Sequence, residues 1–352
     1  MCVPNKNYEK NLLLLLVPLL LTGCQTKQTT EETINNKITV YAYDSLTAEW
    51  GLLPAILEDF KTQYNAEVDV VSFADNGTML SQLILEKDNP KADVVIGLDN
   101  VNFSKVKENE LLATYQSQAA DEIPLDLWFD DNYTMTPFDY GYAGFVYDSE
   151  KINFTEPISL MDLTKEEYKD KIIIEQAGLS SPGTQLMLWT KAALSEDDYN
   201  KFWEGMAENV LTVAPDWSTA YYTLFTEGEA PIVLSYLTSP AYHIDQEQVT
   251  KYKAIPIKEG YIRQVEGVGI VNGASNTEYA QKFVDFMLSD EAQTAVFTTQ
   301  WMFPVLGHNT TWPDAYQQII IPKEEEILII SKEDLANKLE DWTNEWKAFF
   351  KI

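Results

Sequence analysis

Residues 38–97 constrain the fold more than any other stretch of the chain. Ile38-Thr-Val-Tyr-Ala-Tyr-Asp-Ser45 alternates like a strand and then turns. From Pro54, the apolar Ile56, Leu57, Phe60 and Tyr64 fall on one face of a helix. Val68, Val70, Val71 and Phe73 form the next strand, and Asp75-Asn76-Gly77-Thr78 leads into a second helix with Met79, Leu80, Leu83 and Ile84. Residues 92–97 (ADVVIG) read as a buried strand, ending at Leu98-Asp99-Asn100. This β-α-β-α-β rhythm implies an α/β fold with an open, mostly parallel sheet. In such sheets ligands bind where strand ends run into helix starts.

The rest of the chain extends the pattern into a second domain, which 352 residues and 45% hydrophobic content amply support. Pro137-Phe-Asp-Tyr-Gly-Tyr142 precedes an apolar run at 143–147 and reads as the crossing between domains. The next strand is expected at 171–175. Ser180-Ser181-Pro182-Gly183 starts a helix carrying Leu186, Leu188 and Trp189, and another helix follows around 197–208. Residues 261–271 form a long strand that could return the chain to the first domain. Residues 277–288 give an amphipathic helix with Tyr279, Phe283 and Phe286, and 299–304 a loop with an exposed Trp301. The chain closes on a helix opened by a Ser331/Asp334 capping box. Its stripe of Leu335, Leu339, Trp342, Trp346 and Phe349 has the spacing of core, so those tryptophans are kept out of any pocket. The expected division is 38–140 with 265–352 as domain one, and 141–264 as domain two.

Chemistry concentrates in residues 217–243, WSTAYYTLFTEGEAPIVLSYLTSPAYH. Residues 231–236 are a short buried strand that empties into Leu237-Thr238-Ser239-Pro240-Ala241-Tyr242-His243. Upstream, Trp217 and Tyr221 share one face of a helix. Ordinary core and turn would account for this composition. So would an aromatic-lined pocket for a flat, cationic small molecule.

A formal net charge of −30 repels nucleic acid and anionic lipid and weakly attracts cations. Both cysteines, Cys2 and Cys24, lie near the N-terminus, so the body has no disulfide, no thiolate metal site and no cysteine nucleophile. His243 and His308 are the only histidines, which argues against a His-rich metal site. Lys6 and Lys10 precede an apolar run at 12–21 that is too short to span a bilayer and fits a signal-peptide core. Leu21-Thr22-Gly23-Cys24 resembles the bacterial lipoprotein processing box, in which the cysteine is lipidated and becomes residue one. Residues 25–37 read as a flexible tether.

Several spaced motifs, taken together, resemble the bacterial thiamine-binding proteins, extracytoplasmic solute receptors of ABC importers. They are Thr39-Val-Tyr-Ala-Tyr-Asp-Ser45 with Trp50-Gly51, Ala92-Asp-Val-Val-Ile-Gly-Leu-Asp-Asn100, Pro137-Phe-Asp-Tyr-Gly-Tyr142, and Ser181-Pro-Gly183. Trp217-Ser with Ala220-Tyr221, Leu234-Ser-Tyr, Thr238-Ser-Pro-Ala-Tyr-His243, Gln264-Val-Glu266, and Trp301-Met302 with Pro304-Val305 complete the set. Thr238 to His243 is the most specific. The resemblance implies a two-domain periplasmic-binding-protein fold of the second class, with the ligand in the cleft between domains. It further implies thiamine or a phosphate ester as transported ligand, no cofactor, permease and ATPase subunits as partners, and a monomer; the Leu21–Cys24 box and the tether add the expectation of a lipid anchor on the outer face of a membrane. Ligand contacts carried over by position fall on Asp75, Asn76, Ser180, Ser181, Trp217, Tyr236, Leu237, Thr238, Ser239 and Pro240. Tyr43, Trp50, Tyr242 and Trp301 are further aromatics expected around the cleft. Two departures stand out: Asn76 replaces a glycine of a relative, and Leu237 interrupts a hydroxyl-rich run.

The physical chemistry fits that ligand. A desolvated cation over an aromatic face gains about 2 kcal/mol. Three or four aromatic rings could therefore hold a thiazolium and an aminopyrimidine without a buried carboxylate, with Asp75 adding charge or accepting from an amino group. Asn76-Gly77 and Ser181 precede helices, whose free N–H groups suit a hydroxyl or phosphate. The same residues also serve as plain N-caps, worth about 1 kcal/mol. Rival solutes are iron(III), which needs tyrosinates with acidic or His ligands, and polyamines, which need several acids. A thiamine-degrading enzyme of similar fold needs a cysteine nucleophile that this body lacks.

Overall fold

The alternating segments form the expected strands, and their order sets where a site can lie. The computed structural model describes residues 35–307 and 311–352. The leader, the processing box ending at Cys24, most of the tether and His308 lie outside them. The strands are β1 (Lys37–Tyr43), β2 (Glu67–Phe73), β3 (Val94–Asp99), β4 (Leu112–Ala113), β5 (Thr136–Asp148), β6 (Ile172–Glu175), β7 (Val210–Ala214), β8 (Ile232–Tyr236), β9 (Tyr252–Ala254), β10 (Tyr261–Val271), β11 (Phe303–Pro304) and β12 (Ile327–Leu328). The main path runs β2-β1-β3-β10-β5-β8-β6-β7.

The expectation of a mostly parallel sheet holds on the flanks only. β2, β1 and β3 pair in parallel, as do β8, β6 and β7. The middle is antiparallel: β3 to β10, β10 to β5, and β5 to β8. The early βαβ units carry helical crossovers and so force parallel pairing, whereas β10 and β5 arrive from elsewhere in the chain and are free of that constraint. β5 is the seam. Its residues 136–142 pair with β10, and 143–147 pair with β8.

Helices cover both faces of each half, as buried parallel strands require. On the first half, Phe60 from the helix Leu52–Tyr64 packs edge-on against Phe283, at 5.2 Å, and Phe286. The opposite face holds Met79, Leu80 and Leu83 of the helix Asn76–Glu86. Trp189, Trp203 and Trp346 pack one face of the second half, and Tyr221, Phe225 and Val233 the other. Trp346 of the helix Lys332–Phe350 is fully buried against Trp203, at 5.7 Å. Ser331 caps that helix by accepting from Asp334 N. The Asp334 carboxylate turns to Lys338 at 2.6 Å, so only the serine side of the expected capping box forms.

Candidate functional site

One cavity gathers nearly all the residues singled out above. Tyr43, Trp50, Asp75, Asn76, Ser180, Ser181, Trp217, Tyr236, Thr238, Ser239, Tyr242 and Trp301 all line it, and its volume is about 820 Å³ including the mouth. It lies where β1, β6 and β8 end and helices begin. Asn76 and Ser181 open their helices, with Asp75 and Ser180 as the capping residues. Ser239 opens a helical turn directly after β8.

Leu237 and Pro240 are corrections to the expected set. The Leu237 side chain is fully buried in the core, lying where a side chain on Gly144 would otherwise go. The Pro240 ring is buried and lines a different cavity, with Tyr147, Phe154 and Ile244. The chain end after β8 turns sharply, so neighbouring residues point to opposite sides.

Trp301 is a second correction, since it is only 8% exposed. A π-helical turn, Val296–Gln300, ends at Trp301 with φ of +55°. Such a backbone costs a bulky residue about 1–3 kcal/mol. The indole stacks on Tyr316 at 6.3 Å and meets the Tyr242 ring edge-on at 5.9 Å. The strained turn thus aims a large ring into the cavity.

A second layer fixes the Trp217 ring. Trp217 stacks on Tyr221 at 5.1 Å and 14°, and Tyr221 stacks in turn on His243 at 5.7 Å. Trp217 Nε1 donates to Ser235 Oγ at 2.8 Å, and Ser235 Oγ bonds Ser239 Oγ at 2.7 Å. His243 is buried with Nε2 3.0 Å from the Tyr221 hydroxyl and Nδ1 2.6 Å from Glu247. Burial pushes its pKa down, against the pull of Glu247. His243 therefore supports the wall and does not itself line the cavity.

Two of the three cavity carboxylates, Asp44 and Glu266, are what sequence reasoning missed. Asp44 and Glu266 line the cavity with Asp75, and no Lys, Arg or His does. Glu266 is buried at the centre of β10. It accepts from Tyr43 Oη at 2.7 Å and from Gln264 Nε2 at 2.9 Å. Gln300 Nε2 donates to Tyr43 Oη at 2.6 Å and so holds the phenol in place. Directly opposite Glu266 across β5 and β10 stands Asp139, fully buried, with neither carboxylate oxygen bonded among the described residues. Burial, then the neighbouring Asp99, pushes Glu266 up to about 8, although its hydrogen bonds pull the other way. Burial first and Glu266 second push Asp139 far above the usual range. Burial also raises Asp75 and Asp44. The Gln264-Val-Glu266 motif held the one available signal, yet nothing local in the sequence shows that Glu266 faces inward.

Several contacts join residues that adjoin different sheet halves. Trp50 meets Tyr222 edge-on at 5.5 Å, and the Asp44 carboxylate is hydrogen-bonded to Ser218. Asn76 Nδ2 bonds Ser181 Oγ and, at 3.1 Å, Asp99 Oδ2. An aromatic and acidic cavity walled by both halves of a divided sheet is the arrangement of a solute receptor. Residues 89–336 match the bacterial extracellular solute-binding protein family.

The chain belongs to that family. Among solute-binding relatives, it is 36% identical over 314 residues to the thiamine-binding periplasmic protein of Brucella melitensis, spanning 89% of this chain and 92% of that one. It is 37% identical over 310 residues to the protein of the same name from Escherichia coli, spanning 88% and 92%. A solved structure described as a periplasmic thiamin binding protein superposes with a TM-score of 0.82 at 36% identity, over 89% of this chain and 96% of that chain.

Proposed function

We propose that this protein is an extracytoplasmic receptor that binds thiamine in the cavity between its two domains and delivers it, unchanged, to an ABC importer. The observation that carries this reading is a cavity walled by Tyr43, Trp217, Tyr242 and Trp301 and charged only by carboxylates. Such a lining selects a flat cation: the rings take its faces and the acids its charge. The names of the relatives supply the ligand. Domain one comprises 38–140 and 265–352, and domain two 141–264, so β5 carries the chain between them. The protein acts as a monomeric receptor, and a cysteine-dependent cleavage of thiamine has no nucleophile in the body.

Calorimetry with purified protein tests the ligand. One thiamine per chain is expected, recovered intact after incubation. No binding would remove the assignment, and ring-cleaved products would turn the receptor into an enzyme. Cys24 is the anchoring point, where two acyl chains on one residue give stable attachment that a single chain does not. Cys24→Ala should therefore release the protein or leave it unprocessed. Fractionation of that variant with membranes at its processed size would exclude the lipid anchor.

A further inference from the structure

We propose that Gln264 is a positioning residue for the cavity: its amide holds Glu266 ready for a ligand's positive charge and ties that acid to Tyr236 on the other half of the sheet. The role rests on the thiamine reading, because it needs a cation in the cavity.

Gln264 and Glu266 stand two residues apart on β10, so their side chains leave the same face of the strand. Glu266 lines the cavity, whereas Gln264 is fully buried behind it. A primary amide accepts at one end and donates at the other, and Gln264 uses both ends. Its Oε1 accepts from Tyr236 Oη at 3.1 Å, and its Nε2 donates to Glu266 Oε1 at 2.9 Å. The other carboxylate oxygen is held from the first half. Gln300 Nε2 donates to Tyr43 Oη at 2.6 Å, which leaves the Tyr43 hydroxyl proton for Glu266 Oε2 at 2.7 Å. Each oxygen of Glu266 thus receives a donor, the arrangement that suits an ionised carboxyl. One chain of hydrogen bonds runs from Tyr236 at the end of β8, through Gln264 and Glu266, to Tyr43 at the end of β1.

The remaining surroundings work against that charge. Asp99 and Asp139 stand opposite Glu266 on β3 and β5. Burial keeps Tyr43 and Tyr236 protonated, and no Lys, Arg or His among the described residues lines the cavity. Against burial and these acids, the hydrogen bonds from Tyr43, Gln264 and Gln300 favour the ionised form of Glu266. Tyr43 and Gln300 line the cavity, where a ligand competes for their donors. Gln264 acts from behind the wall, so its donor stays in place when the cavity fills. An apolar side chain at 264 therefore penalises ionised Glu266 and frees the Tyr236 hydroxyl while leaving the lining residues unchanged.

The test is the pH profile of thiamine affinity, read by calorimetry between about pH 6 and pH 9 on the full chain and on Gln264→Met. Gln264→Asn, whose amide is withdrawn from Glu266, serves as a milder second variant, and circular dichroism confirms the fold. A hydrogen bond to a charged group shifts that group by about one pH unit. Gln264→Met should therefore bind thiamine about tenfold more weakly at neutral pH and still gain affinity above about pH 8, where the wild type levels off. Gln264→Asn should move the profile in the same direction. In a Glu266→Gln background the profile should be flat, and the loss caused by Gln264→Met should fall below about threefold. Weakening by the same factor at every pH would overturn the role, because a merely structural defect behaves that way. The full tenfold loss in the Glu266→Gln background, or a wild-type profile in folded Gln264→Met, would overturn it as well. Failure of the wild type itself to bind would remove the thiamine reading instead.

Discussion

At Glu266, burial and a bound cation act in opposite directions. Burial keeps the proton on, with a pKa of about 8 against an ordinary 4.5. The folded chain therefore binds a proton that the unfolded chain releases between those values, and this residue's contribution to stability is lost as pH rises from about 4.5 to about 8. A cation in the cavity favours the ionised form. Affinity for thiamine should accordingly increase as pH is raised from about 6 to about 8 and level off above, with proton release on binding at neutral pH. Calorimetry in buffers of different ionisation enthalpy reads both. Glu266→Gln should flatten the profile, whereas a flat profile in the wild type would show that this carboxyl does not sense the ligand. The groups facing Glu266 are Tyr43, Gln264, Gln300, Tyr236, Asp99 and Asp139. The rings make a separate contribution. Trp217→Ala, Tyr242→Ala and Trp301→Ala should each cost roughly 1–3 kcal/mol of binding, or about 5- to 150-fold. Tyr242→Phe should cost less, because the ring face does more than the hydroxyl. Full affinity in Tyr242→Ala or Trp301→Ala would take that residue out of the site.

At the scale of elements, the helix Lys332–Phe350 separates packing from recognition. Its Trp346 is fully buried against Trp203 and remote from the cavity lining. Trp346→Ala should destabilise the fold by about 3–5 kcal/mol. The folded fraction should still bind thiamine normally, as denaturant melts and titrations would reveal; weakened binding in folded protein would place this helix at the site. Its apolar stripe was legible because a helix repeats its burial every turn, and β1 was legible because Ile38, Val40 and Ala42 recur at every second residue, although Tyr41 between them is buried as well. The π-helical turns at Thr219–Phe225, His243–Glu247 and Val296–Gln300 were not, since a widened turn leaves no periodic trace. The antiparallel centre was equally hidden, because β10 and β5 are brought together by long-range pairing. The cavity's aromatics and Asp75 could be named from motifs, but Asp44 and Glu266 could not be placed on its wall. Glu266 faces Tyr43 from 223 positions away, and only the register of the sheet brings them together.

Across the whole molecule, β5 runs unbroken through both sheet halves while the cavity walls come from each. A ligand that touches both walls favours the arrangement in which they approach, by its extra affinity for that state. Small-angle scattering should show a smaller radius of gyration at saturating thiamine than without it. An unchanged radius would mean that the walls are already set before the ligand arrives. The tryptophans have a further consequence, one of light and not of energy. Of the nine in the chain, Trp50, Trp217 and Trp301 border the cavity, while Trp189, Trp203 and Trp346 are sealed in cores away from it. An electron-poor ring laid against the first group would dim their emission and leave the sealed group as a constant background, so the protein carries its own optical gauge of occupancy.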